Sequence, residues 1–235
     1  MQTQAIRTLI DRVDEITPSA LIVFLPPAMT TLEDIVAHGF IVALRARNIA
    51  ADMLLAEITH EQVMQQRVAE TLHENIIAPA LAQNYRQIWI AGISLGAFNA
   101  LHYVSRYAAR FSDEITGLCL LAPYPGTGDI LREITAAGGP AAWATTPNRA
   151  LHDERQWWYW LWQQTQAGPT AMPIYAGLST DDRFLRGQKM LTQLISAENV
   201  DVIPGVHDWP AWLTLWERWL DRNMLNRHLP NESCR

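Results

Sequence analysis

The chain has 235 residues, of which 49% are apolar and 18% charged, with a formal net charge of −6. That length suffices for one large hydrophobic core, and the composition is that of a globular protein. The acidic balance, with no cluster of Lys and Arg, argues against a nucleic-acid partner held through its phosphates.

Taken in chain order, Ala20-Leu21-Ile22-Val23-Phe24-Leu25 is a short continuous apolar run and reads as a buried strand. A helix is expected over residues 31–47, with Thr30 and Glu33 as a capping box. Its apolar face is Leu32, Ile35, Val36, Ile41 and Leu44. Residues 50–56 read as the next strand. A long helix starts near Thr59, with Gln62 as the reciprocal cap, and buries a stripe of Met64, Val68, Leu72 and Ile76. Pro79 is expected to loosen its last turns.

The run Gln87-Ile88-Trp89-Ile90-Ala91 reads as a strand, and the run from Ala97 to Val104 as a helix. Between them lies Gly92-Ile93-Ser94-Leu95-Gly96, a G-x-S-x-G pattern. A strand, a sharp turn and a helix lift the Ser94 hydroxyl onto an exposed, strained corner, which is how a serine is presented as a nucleophile. The alternative is a glycine-rich turn in which Ser94 only caps the helix.

Residues 117–122 read as another buried strand. The stretch 123–171 then breaks the alternation. It opens with Pro123, Pro125, Gly126 and Gly128, closes with Gly168 and Pro169, and holds Trp143, Trp157, Trp158, Trp160 and Trp162. A helix apolar on most of its circumference is buried on two sides. The expectation is a helical cap inserted in the single domain 1–235, with Trp143, Trp157, Trp158 and Trp160 binding substrate; plain packing is the alternative. Strands at 172–177 and 199–203 follow, separated by a helix over 188–197. A last helix over 210–223 packs Trp209, Trp212, Leu213, Trp216, Trp219 and Leu220 on one face and is given no substrate role. Alternating helices and continuously apolar strands predict an α/β protein. Its mostly parallel sheet has about six core strands and helices on both faces. Sites in such sheets lie at the carboxyl ends of the strands, where Ser94 falls.

A serine hydroxyl needs a base, usually a histidine oriented by a carboxylate. Of seven histidines, most fall in or beside predicted helices. His207 lies in the loop Pro204-Gly205-Val206-His207-Asp208-Trp209-Pro210, after the last strand and before the last helix, at the same edge as Ser94. The carboxylate is expected between them in sequence, at Asp181 or Asp182 in Gly177-Leu178-Ser179-Thr180-Asp181-Asp182-Arg183-Phe184. Asp182 is preferred for its place beside the apolar Phe184. Cys119 sits in a strand-like run and Cys234 in the polar tail; they form neither a metal pattern nor a disulfide framework. The residues 1–12 have no signal-peptide pattern and no run reaches the length of a membrane span, so a cytoplasmic protein is expected.

The order Ser94, Asp182, His207 resembles that of the α/β-hydrolases. The resemblance runs from about residue 20 to residue 222. It rests on the elbow Gly92–Gly96, the Gly-x-x-x-Asp-Asp-Arg-Phe loop and the Gly-x-His-Asp-Trp-x-x-Trp loop, the last of which resembles loops of esterase-like members. It implies Ser94 as nucleophile, Asp182 as acid and His207 as base. Many members carry a His-Gly pair after the first core strand, next to the oxyanion hole. Here the stretch is Leu25-Pro26-Pro27-Ala28-Met29. Proline has no N–H, so the first donor is Ala28 and the next Met29, with Leu95 N–H supplying the second contact. His38-Gly39-Phe40 looks like the missing pair but falls inside a predicted helix. The reading is a serine hydrolase that cleaves a small carboxylic ester or thioester through an acyl-serine, with no metal or organic cofactor implied. An acyltransferase or peptidase on the same triad, or a catalytically silent ligand-binding protein of this fold, are the alternatives. Oligomeric state is not readable.

Overall fold

The computed structural model describes residues 6–13, 19–65, 67–107, 115–147, 150–168 and 171–225. Cys234, His228 and Pro169 fall outside these residues, as do the side chains of His60 and Met64.

The strands β1 (Thr8–Asp11), β2 (Ala20–Leu25), β3 (Asp52–Ala56), β4 (Gln87–Ile93), β5 (Ile115–Leu121), β6 (Ile174–Ser179) and β7 (Val200–Ile203) form one sheet in the order β1-β3-β2-β4-β5-β6-β7. All pairs are parallel except β1 with β3. The parallel core matches the expectation. The antiparallel edge strand β1 was not foreseen, because a four-residue edge strand, TLID, only half-buried, carries too little pattern to read.

Side chains alternate across the sheet. Leu21, Val23, Ile88, Ile90, Leu118 and Leu120 enter one hydrophobic cluster; Ile22, Phe24, Trp89, Ala91, Cys119 and Leu121 enter the other. Strands buried on both faces must be apolar at every position, which is why they read as unbroken runs. The first cluster is closed by α4 (Val68–Leu72), α5 (Ala78–Ala82), α6 (Leu95–Tyr107), α8 (Pro140–Ala144) and α9 (Glu154–Gln166). The second is closed by α1 (Leu32–Ala37), α2 (Phe40–Arg45) and α11 (Trp209–Asp221). The helices α7 (Gly128–Ala136) and α10 (Leu185–Leu191) add Ile130, Ile134 and Leu191 to the first cluster, and α3 (His60–Met64) follows β3.

The expected helix over 31–47 is two helices. Gly39 stands between α1 and α2 with φ 86°, a left-handed turn that ends one helix and starts the next. His38-Gly39 is thus a helix break and not part of a helix. The capping box is one residue later than expected: the Thr31 hydroxyl accepts from Asp34 N–H, and Asp34 accepts from Thr31 N–H. Thr30 instead donates its hydroxyl to Pro27 O at 2.9 Å. The Thr59–Gln62 capping box forms as expected. Its helix breaks after α3 and widens into a π turn at His73–Ile77. The cause is Pro79, whose ring would strike the carbonyl four residues back in a regular helix and whose missing N–H leaves that carbonyl unpaired. The 188–197 helix is α10, starting earlier, followed by a short 3₁₀ turn at Thr192–Leu194.

At the carboxyl edge, α6 lies directly on the end of β2. A Cβ at Gly96 would fall inside the Leu25 carbonyl oxygen, and a Cβ at Gly92 inside the Gly96 carbonyl group. A Cβ at Gly39 would meet nothing within 4 Å, so only its positive φ resists substitution. Gly39→Ala is therefore expected to cost about 1 kcal/mol. Gly96→Ala, which forces backbone apart, is expected to cost about 3 kcal/mol or more. Urea denaturation of the two variants reads the difference, and equal midpoints would contradict the packing.

Candidate active site

The corner between β4 and α6 is a single residue. Ser94 has φ 53°, in the left-handed region that side chains avoid. Three backbone hydrogen bonds hold it there. Ser94 N–H donates to Leu121 O at 2.9 Å, and Ser94 O accepts from Phe98 N–H and from Tyr124 N–H, each at 3.1 Å. The corner is therefore tied both to its own helix and to the exit of β5.

The two other candidate residues reach the same point from the ends of β6 and β7. Thr180 N–H donates to Ile203 O and Asp181 N–H to Gly205 O, both at 2.9 Å, which zips the acid loop to the histidine loop. Gly205 has φ 141° and turns the histidine loop back over the sheet. His207 Nε2 then lies 2.9 Å from Ser94 Oγ, and His207 Nδ1 lies 2.7 Å from Asp182 Oδ2. Asp182, Ser94 and His207 thus form one continuous hydrogen-bonded line. The side chain of Asp182 is 0% exposed and that of His207 is 9% exposed. Asp181, its exposed neighbour, accepts from the Thr180 hydroxyl at 2.8 Å.

Burial pushes the Asp182 carboxyl up, but the hydrogen bonds from His207, Phe184 N–H and Gln188 outweigh it and hold the group below its ordinary value. Asp182 Oδ1 accepts from Phe184 N–H at 2.8 Å, and Oδ2 from Gln188 Nε2 at 3.1 Å. The imidazole is clamped edge-to-face by Phe184 at 5.1 Å and by Trp212 at 5.0 Å between ring centroids. Trp212 therefore does more than pack the core: it is one of the two rings that fix the histidine.

The Pro27–Thr30 turn follows β2 beside the corner. Met29 has φ 60° and a fully exposed side chain. Among the described residues no hydrogen bond engages the amides of Ala28, Met29 or Leu95. The tight seating of Gly96 on Leu25 and Pro26 brings this turn next to the start of α6.

The four tryptophans expected to bind substrate are enclosed, while Trp162 is half-buried. Trp157 and Trp158 are 0% exposed, Trp143 4% and Trp160 8%, all within the core cluster. The helix α9 belongs to the connection between the adjacent strands β5 and β6 and packs onto α6 and α8. Trp158 Nε1 donates to Pro125 O at 3.1 Å. Trp157 stands edge-on behind Phe98, 5.9 Å away.

Half-buried rings near Ser94 come instead from Phe98, Tyr124 and Phe184. Phe98 meets Tyr124 at 5.7 Å, and Tyr124 meets Phe184 at 5.2 Å. Sequence reasoning missed Phe98 and Tyr124. The one usable signal was spacing, since Phe98 is one helical turn past Ser94. Gln188 gave no signal, because a glutamine inside a helix reads as a surface residue. His38 stacks on Trp209 at 4.3 Å, and His73 Nδ1 meets the Tyr103 hydroxyl at 3.2 Å. A cavity of about 630 Å³ lies at the opposite edge of the sheet, lined among others by Ile174, Asn199 and Arg222. Among the described residues no helix is long and apolar enough to cross a membrane.

No family model matches the chain, and no curated protein matches it in sequence. Solved structures do match in fold. Est1E from Butyrivibrio proteoclasticus superposes with a TM-score of 0.62 at 14% identity, over 94% of this chain and 94% of its own. S-formylglutathione hydrolase (FrmB) from Staphylococcus aureus gives 0.61 at 11% identity, over 94% of this chain and 96% of its own. The monoacylglycerol lipase of Paleococcus ferrophilus gives 0.57 at 12% identity, over 95% and 99%. With the strand order, the parallel core and the strand–corner–helix at Ser94, these likenesses show that the chain has the α/β-hydrolase fold.

Proposed function

We propose that the chain is a serine hydrolase that cleaves a small carboxylic ester or thioester through an acyl-serine intermediate. The observation that carries the reading is the line Asp182–His207–Ser94, with hydrogen bonds of 2.7 and 2.9 Å, ending on a serine held at a left-handed corner. The named activities of the structural neighbours, an S-formylglutathione hydrolase and a monoacylglycerol lipase among them, agree with it.

In this mechanism His207 Nε2 takes the Ser94 proton as Oγ attacks the carbonyl carbon. Asp182 accepts from Nδ1–H throughout, which fixes the tautomer and stabilises the imidazolium. The tetrahedral oxyanion takes hydrogen bonds from Leu95 N–H and from the amide of Ala28 or Met29, donors that no group among the described residues uses. Collapse expels the alcohol or thiol, which receives the proton from His207. Water, deprotonated by His207, then releases the acid and restores Ser94. The half-buried rings of Phe98, Tyr124 and Phe184 favour an apolar group on the substrate, since each offers an aromatic face with partial access to solvent.

Ser94→Ala is expected to lower kcat on p-nitrophenyl acetate by several orders of magnitude and to abolish labelling by a fluorophosphonate probe. A variant that is still labelled would sink the assignment. The acid limb of kcat/KM should be a single step. Asp182 is held below its ordinary value, so its carboxylate stays ionised through the ordinary carboxylate range and adds no step of its own there. A carboxylate ionisation in that limb above pH 5, about one unit above the ordinary carboxylate range, would contradict this. Ala28→Pro removes one amide hydrogen and assigns the oxyanion donor. A loss of about a hundredfold in kcat with KM little changed identifies Ala28; an unchanged rate identifies Met29.

A further inference from the structure

Gln188 is a buried polar side chain that the proton relay alone does not account for. It lies in α10, is 0% exposed, and its amide nitrogen meets two acceptors, Asp182 Oδ2 at 3.1 Å and Pro123 O at 3.3 Å. Its oxygen is enclosed and has no hydrogen-bond partner among the described residues. The opposite amide orientation would set that oxygen against a carboxylate and a carbonyl, so only this orientation is chemically consistent. An enclosed, unpaired carbonyl carries a desolvation cost that an apolar side chain of similar length would not incur. The fold carries that cost where it supplies a donor to Asp182. It is also shaped to do so. Gly187 lets α10 close on the loop after β5, since a Cβ there would lie 2.5 Å from Pro125 Cγ.

We propose that Gln188 is a positioning residue of the site, holding Asp182 Oδ2 in line with His207 Nδ1 and tying the acid loop to the Ser94 corner. The proposal rests on the Ser94–His207–Asp182 reading above. The tie runs through Pro123. It sits between Ala122, whose φ is 44°, and Tyr124, whose N–H donates to Ser94 O. One side-chain amide therefore joins the loops that carry the acid and the nucleophile. It also acts on charge. Gln188 donates to the same oxygen that holds the imidazole N–H, so it draws on the negative charge that stabilises the imidazolium. Without it that oxygen loses one of its donors and is no longer held from the α10 side. The charged neighbours are Asp181 and Arg183 beside Asp182, and Asp208 beside His207. Asp181 accepts from Thr180, Arg183 lies over the Phe184 ring at 4.8 Å, and Asp208 caps α11; each is untouched by a change at 188.

The test uses the full chain with p-nitrophenyl acetate across pH 5–9 and fluorophosphonate labelling in parallel. Gln188→Met is expected to lower kcat about tenfold, the worth of a hydrogen bond to a charged group, with KM nearly constant. Gln188→Leu should do the same, so a packing failure of either variant leaves the other to decide. Gln188→Glu, whose enclosed carboxyl stays protonated beside Asp182, should donate again and recover most of kcat. Apolar variants whose kcat matches the parent, while Ser94→Ala remains unlabelled, would overturn the proposal and leave the triad standing. If instead Ser94→Ala is labelled like the parent, the triad reading falls and this proposal with it.

Discussion

The site depends on how closely the first turn of α6 can approach the end of β2. With no side chain at Gly92 or Gly96, the strand can fold back on the helix within one residue and the helix can rest on Leu25 and Pro26. The corner residue, Ser94, then has to adopt a left-handed backbone that costs about 1–2 kcal/mol for a side chain of any size. Strain of that kind persists only where the surroundings over-determine it. Here the surroundings are Leu121 and Tyr124 on one side and Phe98 on the other, each bonded to the Ser94 peptide groups. The same approach brings the turn after β2, with its unused Ala28 and Met29 amides, next to the unused amide of Leu95.

Placing a carboxylate beside this corner is expensive, and the way the cost is met determines what the histidine can do. Asp182 is enclosed, which alone would favour its neutral form. Three donors, from His207, Phe184 N–H and Gln188, reverse that preference. A carboxylate held ionised accepts from Nδ1, so Nε2 is free to face Ser94. The rings of Phe184 and Trp212 meet the imidazole at 84° and 83° and leave it one orientation. Charge selects the tautomer and the aromatic edges select the angle. The acid loop supplies the charge and one aromatic edge, and α11 supplies the other edge.

Much of this was legible in the sequence because it is written in local backbone devices. Ser94 between two glycines, His207 in a Pro-Gly loop and an acid pair after a strand are each short-range patterns, and the continuous apolar strands fixed the edge on which they meet. The choice between Asp181 and Asp182 was less accessible, since both stand in one turn and only the cross-loop bonds to Ile203 and Gly205 decide which points inward. The break at Gly39 was hidden because the apolar face continues through it, with Leu32 and Ile35 before and Phe40 and Leu44 after, all buried. The N-cap at Thr31 differs from Thr30 by one residue because Thr30 has a better use for its hydroxyl, on Pro27 O.

The tryptophan-rich stretch shows what composition leaves open. A helix such as α9, apolar on most of its circumference, must be covered on two sides, but composition cannot say whether the second cover is substrate or protein. Trp157 and Trp158 are enclosed, and the rings that remain half-open near Ser94 are Phe98, Tyr124 and Phe184. Each of these is bound to the hydrogen-bonded line itself. Phe98 and Tyr124 donate their amides to Ser94 O, and Phe184 donates its amide to Asp182 Oδ1 while its ring edges His207. A site whose walls hang from the same backbone groups that hold its reactive line cannot reshape one without moving the other. In a cap-built site, an altered wall would change which substrates enter. Here a shift of one of these rings also shifts Ser94 or His207, because the rings and the hydrogen-bonded line are held by one set of contacts.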